Sequence, residues 1–374
     1  MVIMDENLKH LLVMLVEKNG SDLHLTAGSP PMIRVDGMLR ALQEAKELSP
    51  KECERLCLSF FNDNQKKELL ENKELDLSFG IEGLGRFRVN LFLQRGSMAA
   101  SIRMIPFEPW PLSVLGLPKA IEGIILKQQG FVLVTGPAGS GKSTTLAAMI
   151  DFINKCKSCH IITIEDPIEF LHKHKMSIVN QREIGTDANS FTRALKSVLR
   201  EDPDVVLIGE MRDLESIEAA LHIAETGHMV FSTLHTNSTV QTINRIIDVF
   251  PSQQQAQVRT QLSFVLDAVI SQRLLPKVGG GRVMAYEFMM ITPAIKNLIR
   301  EGKTHQIYSQ MQVGQEKTHM VTMNQSLTTL FLKGEIKEES AMFTSNDVDD
   351  LKRITGLHNK RNSEAYLLTT KKQR

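Results

Sequence analysis

FVLVTGPAGSGKSTT (131–145) decides how the larger part of this chain folds. An apolar, β-branched run, Phe131 to Thr135, predicts a strand; the glycine-rich turn after it and the helix-forming TLAAMIDFI predict strand–loop–helix. Gly136, Gly141, Lys142 and Ser143 fit G-x-x-x-x-G-K-[ST] in the context that motif requires. Glycines let the loop wrap with its N–H groups turned inward, a nest for a phosphate group. Gly136, Pro137, Ala138, Gly139, Ser140, Gly141, Lys142, Ser143 and Thr144 therefore form the expected phosphate cradle. Lys142 supplies a point charge to the β- and γ-phosphates, and the Ser143 hydroxyl suits Mg²⁺. The helix start adds the positive end of its dipole. ATP with Mg²⁺ is the expected ligand.

Working outward, the 374 residues exceed one ordinary core, and two or three domains are expected. Hydrophobic residues make up 42% and charged residues 23%, a globular balance. A formal net charge of +1, with 3 tyrosines and 1 tryptophan, speaks against a nucleic-acid partner. No apolar run has the length of a membrane span, so no membrane insertion is expected. The opening MVIMDENLKHLLVMLVEKNG reads as an amphipathic helix (Leu8, Leu11, Leu12, Leu15) and not as a signal peptide, which predicts a cytosolic chain. Cys156 and Cys159 have C-x-x-C spacing, but Cys53 and Cys57 fall in another predicted domain. Reduced thiols are expected in place of a four-thiolate zinc site.

Residues 1–105 read as a small α+β unit. Ser21–Leu25 alternates as a strand, Asp36-Gly37 marks a hairpin turn, one helix runs from about Pro50 to Asn72, and residues 75–106 supply three strands. PFEPWPLSVLGLP (106–118) is the expected linker. From Ile121 strands and helices alternate, predicting a mostly parallel sheet covered on both faces, in a domain spanning 119–356. Its strands are FVLVT (131–135), HIITIE (160–165), DVVLIG (204–209) and MVFSTL (229–234). After Arg273 a helical region is expected, with Gly279-Gly280-Gly281 as a turn. Residues 357–374 form a polar, basic, frayed tail.

Ligands of an open parallel sheet sit beyond the carboxyl ends of its strands, so polar residues there should converge on the phosphates. Glu165 and, one turn on, Glu169 follow the second strand; Glu210 follows the third; His228 and His235 flank the fourth. Glu210 stands where a Walker B acid belongs, with glycine in place of the usual aspartate before it. It can deprotonate the attacking water or hold metal-bound water. Glu165 and Glu169 are candidates to position metal or water, and His228 and His235 to sense a γ-phosphate.

GPAGSGKSTT, IITIEDPIEF, PDVVLIGEMRD and ETGHMVFSTLHTN resemble the Walker A, Asp, Walker B and His boxes of the type II/type IV secretion ATPases. SDLHLTAGSPP, RIIDVFP (245–251), QRLLPKVGGGR (272–282) and AIKNLIREGKTHQIYSQMQ (294–312) resemble the pilus retraction branch, with Lys296 where that branch has arginine. The resemblance covers all but the tail. It implies a PAS-like N-terminal domain, a RecA-like P-loop ATPase domain with C-terminal helices, and a homohexameric ring at the inner-membrane face. Arg88 and Arg103 match arginines that close on the nucleotide, where guanidinium forks offset transition-state charge. An inner-membrane pilus platform protein and a paralogous retraction ATPase are the implied partners, and pilus retraction with twitching motility the implied function. The resemblance also keeps accessory retraction, pilus assembly and type II secretion ATPases in view, with a RecA-like nucleic-acid motor further off.

Overall fold

The computed structural model describes residues 4–356, apart from 36–37, 43–44, 60–62, 82, 106–108 and 314. The predicted turn at Asp36-Gly37, the first part of the predicted linker and the tail thus lie outside the described residues. The chain separates into two compact units, Met1–Glu108 with Glu169–Leu171, and Pro109–Ile168 with His172–Arg374. Among the described residues no helix is long and apolar enough to cross a membrane.

The first unit carries an antiparallel sheet. Its strands are β1 (Asp22–Thr26), β2 (Met32–Val35), β3 (Met38–Ala41), β4 (Glu74–Ile81), β5 (Gly85–Gln94) and β6 (Ser97–Ile105), in spatial order β3-β2-β1-β6-β5-β4. The helix Glu6–Glu17 buries Leu8, Leu11, Leu12 and Leu15, the stripe read from its 3.6-residue period. Along β5, Phe87, Val89 and Leu91 enter the core, so Arg88 lies on the opposite face. Arg88 pairs in register with Arg103 on β6, and Arg103 pairs with Asp22 on β1. Two guanidinium groups on facing positions repel. Asp22 offsets this by accepting from Arg103 Nε at 2.8 Å. Burial pushes the Asp22 carboxyl up, but the Ser21 and Arg103 hydrogen bonds outweigh it and hold the carboxyl below its ordinary value.

The predicted single helix from Pro50 to Asn72 is in fact two, Pro50–Leu58 and Asp63–Asn72. Ser49 and Glu52 form a capping box on the first. The Ser59 hydroxyl donates to Leu56 O at 2.9 Å, a local bond that competes with continuing the helix.

The second unit is built on a seven-stranded sheet: β7 (Gly130–Thr135), β8 (His160–Glu165), β9 (Ile178–Glu183), β10 (Val205–Ile208), β11 (Met229–Leu234), β12 (Leu266–Pro276) and β13 (Arg282–Met290). Their order is β13-β12-β7-β11-β10-β8-β9, with β13 the antiparallel strand. β7, near the middle of the sheet, is buried at all six positions, the reason for its unbroken apolar run. The stretch around Arg273 is a long hairpin, β12 to β13, with helices resuming only at Pro293–Arg300. Gly279, Gly280 and Gly281, all at positive φ, reverse the chain between the two strands. β9 is half exposed, and its sequence IVNQRE has too little apolar patterning to mark it as a strand. Leu112, within the segment read as linker, is buried in the core of the second unit.

His172 is partly buried, and its Nδ1 has no hydrogen-bond partner. Burial lowers its pKa to about 4 from 6.5. The folded state therefore keeps the ring neutral while the unfolded chain takes a proton near pH 6.5. This contribution to stability is complete above pH 6.5 and is lost as pH falls toward 4. Thermal unfolding followed from pH 7.5 to 4 should show this loss, and His172→Gln should flatten it.

Candidate nucleotide site

The glycine loop leaves β7 at Gly136 (φ 142°), turns at Gly139 (φ 75°) and enters the helix Lys142–Cys156 through Gly141 (φ 90°). These positive φ values are ones that L-residues rarely adopt. A Cβ at Gly136 would lie 2.3 Å from Gln272 O. The loop N–H groups and the start of a 15-residue helix share this end of the sheet. Lys142 folds back over the loop, its Nζ donating to Gly136 O at 2.8 Å and to Pro137 O at 3.1 Å.

Three strand ends bring side chains to the same edge. His235, one residue past β11, has Nδ1 at 3.4 Å from Lys142 Nζ and Nε2 at 3.0 Å from Glu210 Oε1. An ammonium group only donates, so Nδ1 carries the lone pair and Nε2 carries the proton given to Glu210. The second Glu210 oxygen is 3.0 Å from Arg212 Nη2. Lys142, His235, Glu210 and Arg212 thus form one continuous polar line. Gly209 lets Glu210 approach: a Cβ there would stand 3.2 Å from Ile164 O and 3.3 Å from Glu165 Cα. Close packing of β10 on β8 accounts for glycine where an aspartate was the usual residue. Glu165 ends β8 and accepts from Thr163 Oγ1 at 2.6 Å and Gln181 Nε2 at 3.2 Å.

His228 does not join them, which overturns its reading as a phosphate sensor within this chain. It precedes β11 and gives its carbonyl to Gly130 N at the start of β7, whereas the phosphate loop follows the end of β7. In a parallel pair the two edges are a strand length apart, ~20 Å for six residues. The ring instead bonds Ile223 O at 3.0 Å and Thr226 Oγ1 at 3.1 Å. Flanking a strand was the wrong criterion, because only residues after a parallel strand reach the ligand edge. Glu169 is exposed and falls in the segment grouped with the first unit. Arg88 and Arg103 belong to that unit's sheet; Arg103, its side chain 68% exposed, is held by Asp22.

Beside the loop opens a cavity of about 800 Å³ lined by Trp110, Leu115, Leu274, Met284 and Tyr286 together with Ser140 and Gly141. Lys277, Arg282, Lys333 and Glu335 also line it, and a cavity with an apolar, aromatic wall touching a phosphate nest has the build of a nucleoside site. The sequence reading missed this wall, since Trp110 was assigned to a linker and Met284 and Tyr286 follow a turn with no motif of their own. It also missed Arg212, although GEMRD places it two residues from Glu210.

Ser143 lies in the first turn of the loop helix, half-buried, with the Glu165 and Glu210 carboxylates at neighbouring strand ends. Among the described residues no group of three or more His, Cys, Asp or Glu could hold a metal ion. The Ser143 hydroxyl and the two carboxylates are oxygen donors of the kind Mg²⁺ takes one or two at a time beside its waters and substrate phosphates. Cys53 and Cys57 are buried in the first unit, while Cys156 is exposed and Cys159 partly so in the second.

A parallel-sheet domain with this loop, lysine and strand-end carboxylate is a P-loop nucleotide-binding domain. The chain belongs to the type II/IV secretion system protein family, whose model matches residues 2–280. It is 50% identical over 335 residues to the type IV pilus retraction ATPase PilT of Pseudomonas aeruginosa, covering 90% of this chain and 97% of that one. Identity to the type IV pilus ATPase PilU of the same organism is 40% over 348 residues, covering 93% and 91%. The crystal structure of the pilus retraction motor PilT with bound ADP superposes with a TM-score of 0.87 at 53% identity, covering 92% of this chain and 98% of that one. The mixed α/β fold, an antiparallel-sheet domain followed by an ATPase domain, is thus that of PilT.

Proposed function

We propose that this chain is a motor ATPase that hydrolyses ATP to drive type IV pilus retraction. It works as a homohexamer at the cytoplasmic face of the inner membrane, against a pilus platform protein. The observation that carries the reading is the line from Lys142 through His235 to Glu210, laid along the phosphate loop in a chain half identical to PilT. The triphosphate lies in the loop from Gly136 to Thr144, with the base in the cavity beside Trp110. Glu210 takes the proton of the attacking water, and Arg212 and His235 hold its carboxylate in place. His235, bridging Lys142 and Glu210, feels the γ-phosphate that Lys142 binds. Ser143 would hold Mg²⁺, with Glu165 and Glu169 placing its waters; the ion, when bound, neutralises charge on the β- and γ-phosphates. Arg88 and Arg103 add guanidinium charge once the ring is assembled around the nucleotide. The higher identity to PilT than to PilU supports retraction itself over an accessory role.

Two measurements test this. The purified chain should hydrolyse ATP in the presence of Mg²⁺ and elute as a hexamer. A strain whose only retraction ATPase is this chain should retract its pili, and deleting it should leave surface pili that do not retract. Retraction only alongside a second ATPase would point to the accessory reading.

The two histidines give a sharper contrast. His235→Ala should lower hydrolysis by ~10²-fold, the order found for removing one preorganised polar group. His228→Ala should leave the rate within about twofold, because its ring bonds only its own turn. Steady-state ATPase assays on both variants check this, and an equal loss in both would contradict the placement of His228.

A further inference from the structure

Gln272 is fully buried in β12, and none of its side chain is left to solvent. Its Nε2 donates to Ser140 O at 2.9 Å, and its Oε1 accepts from Thr145 Oγ1 at 3.0 Å. Ser140 stands in the loop before Lys142, and Thr145 in the first helical turn after it. One amide therefore ties together the two sides of the Lys142–Ser143 step. The contact extends to the backbone. A Cβ on Gly136 would meet Gln272 O, and one on Gly141 would come within 3.3 Å of Gln272 Nε2.

The chemistry at this position is demanding. Ser140 O, a carbonyl, can only accept, so the bridging side chain must donate there, while its other end accepts from the Thr145 hydroxyl. Glutamate has no donor for Ser140 O, methionine has neither, and asparagine is one methylene short. Burying an amide costs free energy unless both ends are bonded, and here both are. Ordering a phosphate-binding loop in advance removes that cost from the binding step.

We propose that Gln272 is a positioning residue that holds the phosphate loop in its ligand-ready shape, so that affinity for the diphosphate portion of a nucleotide depends on it. The proposal rests on the nucleotide reading above and adds to it a residue that touches no phosphate.

Binding of ADP to the full-length chain, measured by calorimetry, and displacement of a fluorescent ADP by pyrophosphate or by adenosine provide the test. Gln272→Met, similar in volume but without hydrogen bonds, should weaken ADP by about tenfold for each bond lost. Pyrophosphate should weaken by the same factor and adenosine by less, since Gln272 and Thr145 also border the cavity beside Trp110. Thr145→Val should show a smaller loss, and Thr145→Ser, which keeps the hydroxyl, should lie closer to the wild type. Unchanged ADP affinity in Gln272→Met would overturn the proposal, as would a loss for ADP with pyrophosphate retained. Should Gln272→Met fail to fold, equal ADP affinity of the two Thr145 variants would overturn it. If the wild-type chain binds no ADP, the nucleotide reading itself fails, a result distinct from the others.

Discussion

Lys142→Ala is expected to abolish measurable ATP turnover, a fall of at least ~10²–10³-fold, the range for removing one preorganised electrostatic donor. The reason lies in what Lys142 does at the site. Its ammonium group bonds Gly136 O and Pro137 O and reaches His235 Nδ1, so it links the loop to the strand-end residues. With a nucleotide bound, the same charge faces the β- and γ-phosphates, where charge builds in the transition state. Alanine removes both functions. Arginine keeps the charge but carries a planar fork in place of a compact ammonium group, so Lys142→Arg should not restore turnover. Steady-state hydrolysis with nucleotide binding measured in parallel checks this. Turnover above a tenth of the wild-type rate in Lys142→Ala would contradict the role of the loop.

Glu210→Gln is expected to lower kcat by ~10²–10⁴-fold, the usual contribution of a positioned general base. ATP binding should persist, so that the variant holds its nucleotide unhydrolysed. The amide retains the size of the carboxylate and can still accept from Arg212 or from His235, but not a proton from water. A loss confined to KM would instead make Glu210 a binding residue. Single-turnover measurement of bound ATP and ADP separates the two outcomes, and wild-type hydrolysis by Glu210→Gln would remove it from the base role.

How far the sequence reaches depends on the range of the interaction that fixes each element. β7, β8 and β11 were legible because a strand buried on both faces is dominated by apolar and β-branched residues, a local property. The phosphate loop was legible because its conformation demands glycines at fixed spacing. The amphipathic helix Glu6–Glu17 was legible from its period. By contrast, β12 and β13 carry polar residues whose partners lie far along the chain, such as Gln272 with Thr145 and Glu287 with Thr239. Neither segment is marked as a strand by its own pattern, and the chain after Arg273 reads as helical. His228 was misplaced for a related reason, since its sequence neighbourhood does not say at which edge of the sheet it will stand.

The sequence by itself determined that there is a phosphate loop, that Lys142 and Ser143 belong to it, and that Glu165, Glu210 and His235 end or follow buried strands. Those are consequences of residue type and spacing along a few consecutive positions. Only the tertiary structure decided which of these residues meet. Parallel packing of β7, β10 and β11 sets His235 between Lys142 and Glu210, and the return of β12 beneath the loop supplies Gln272. Both depend on chain segments tens of residues apart being brought to one edge of a sheet, and no local pattern encodes that.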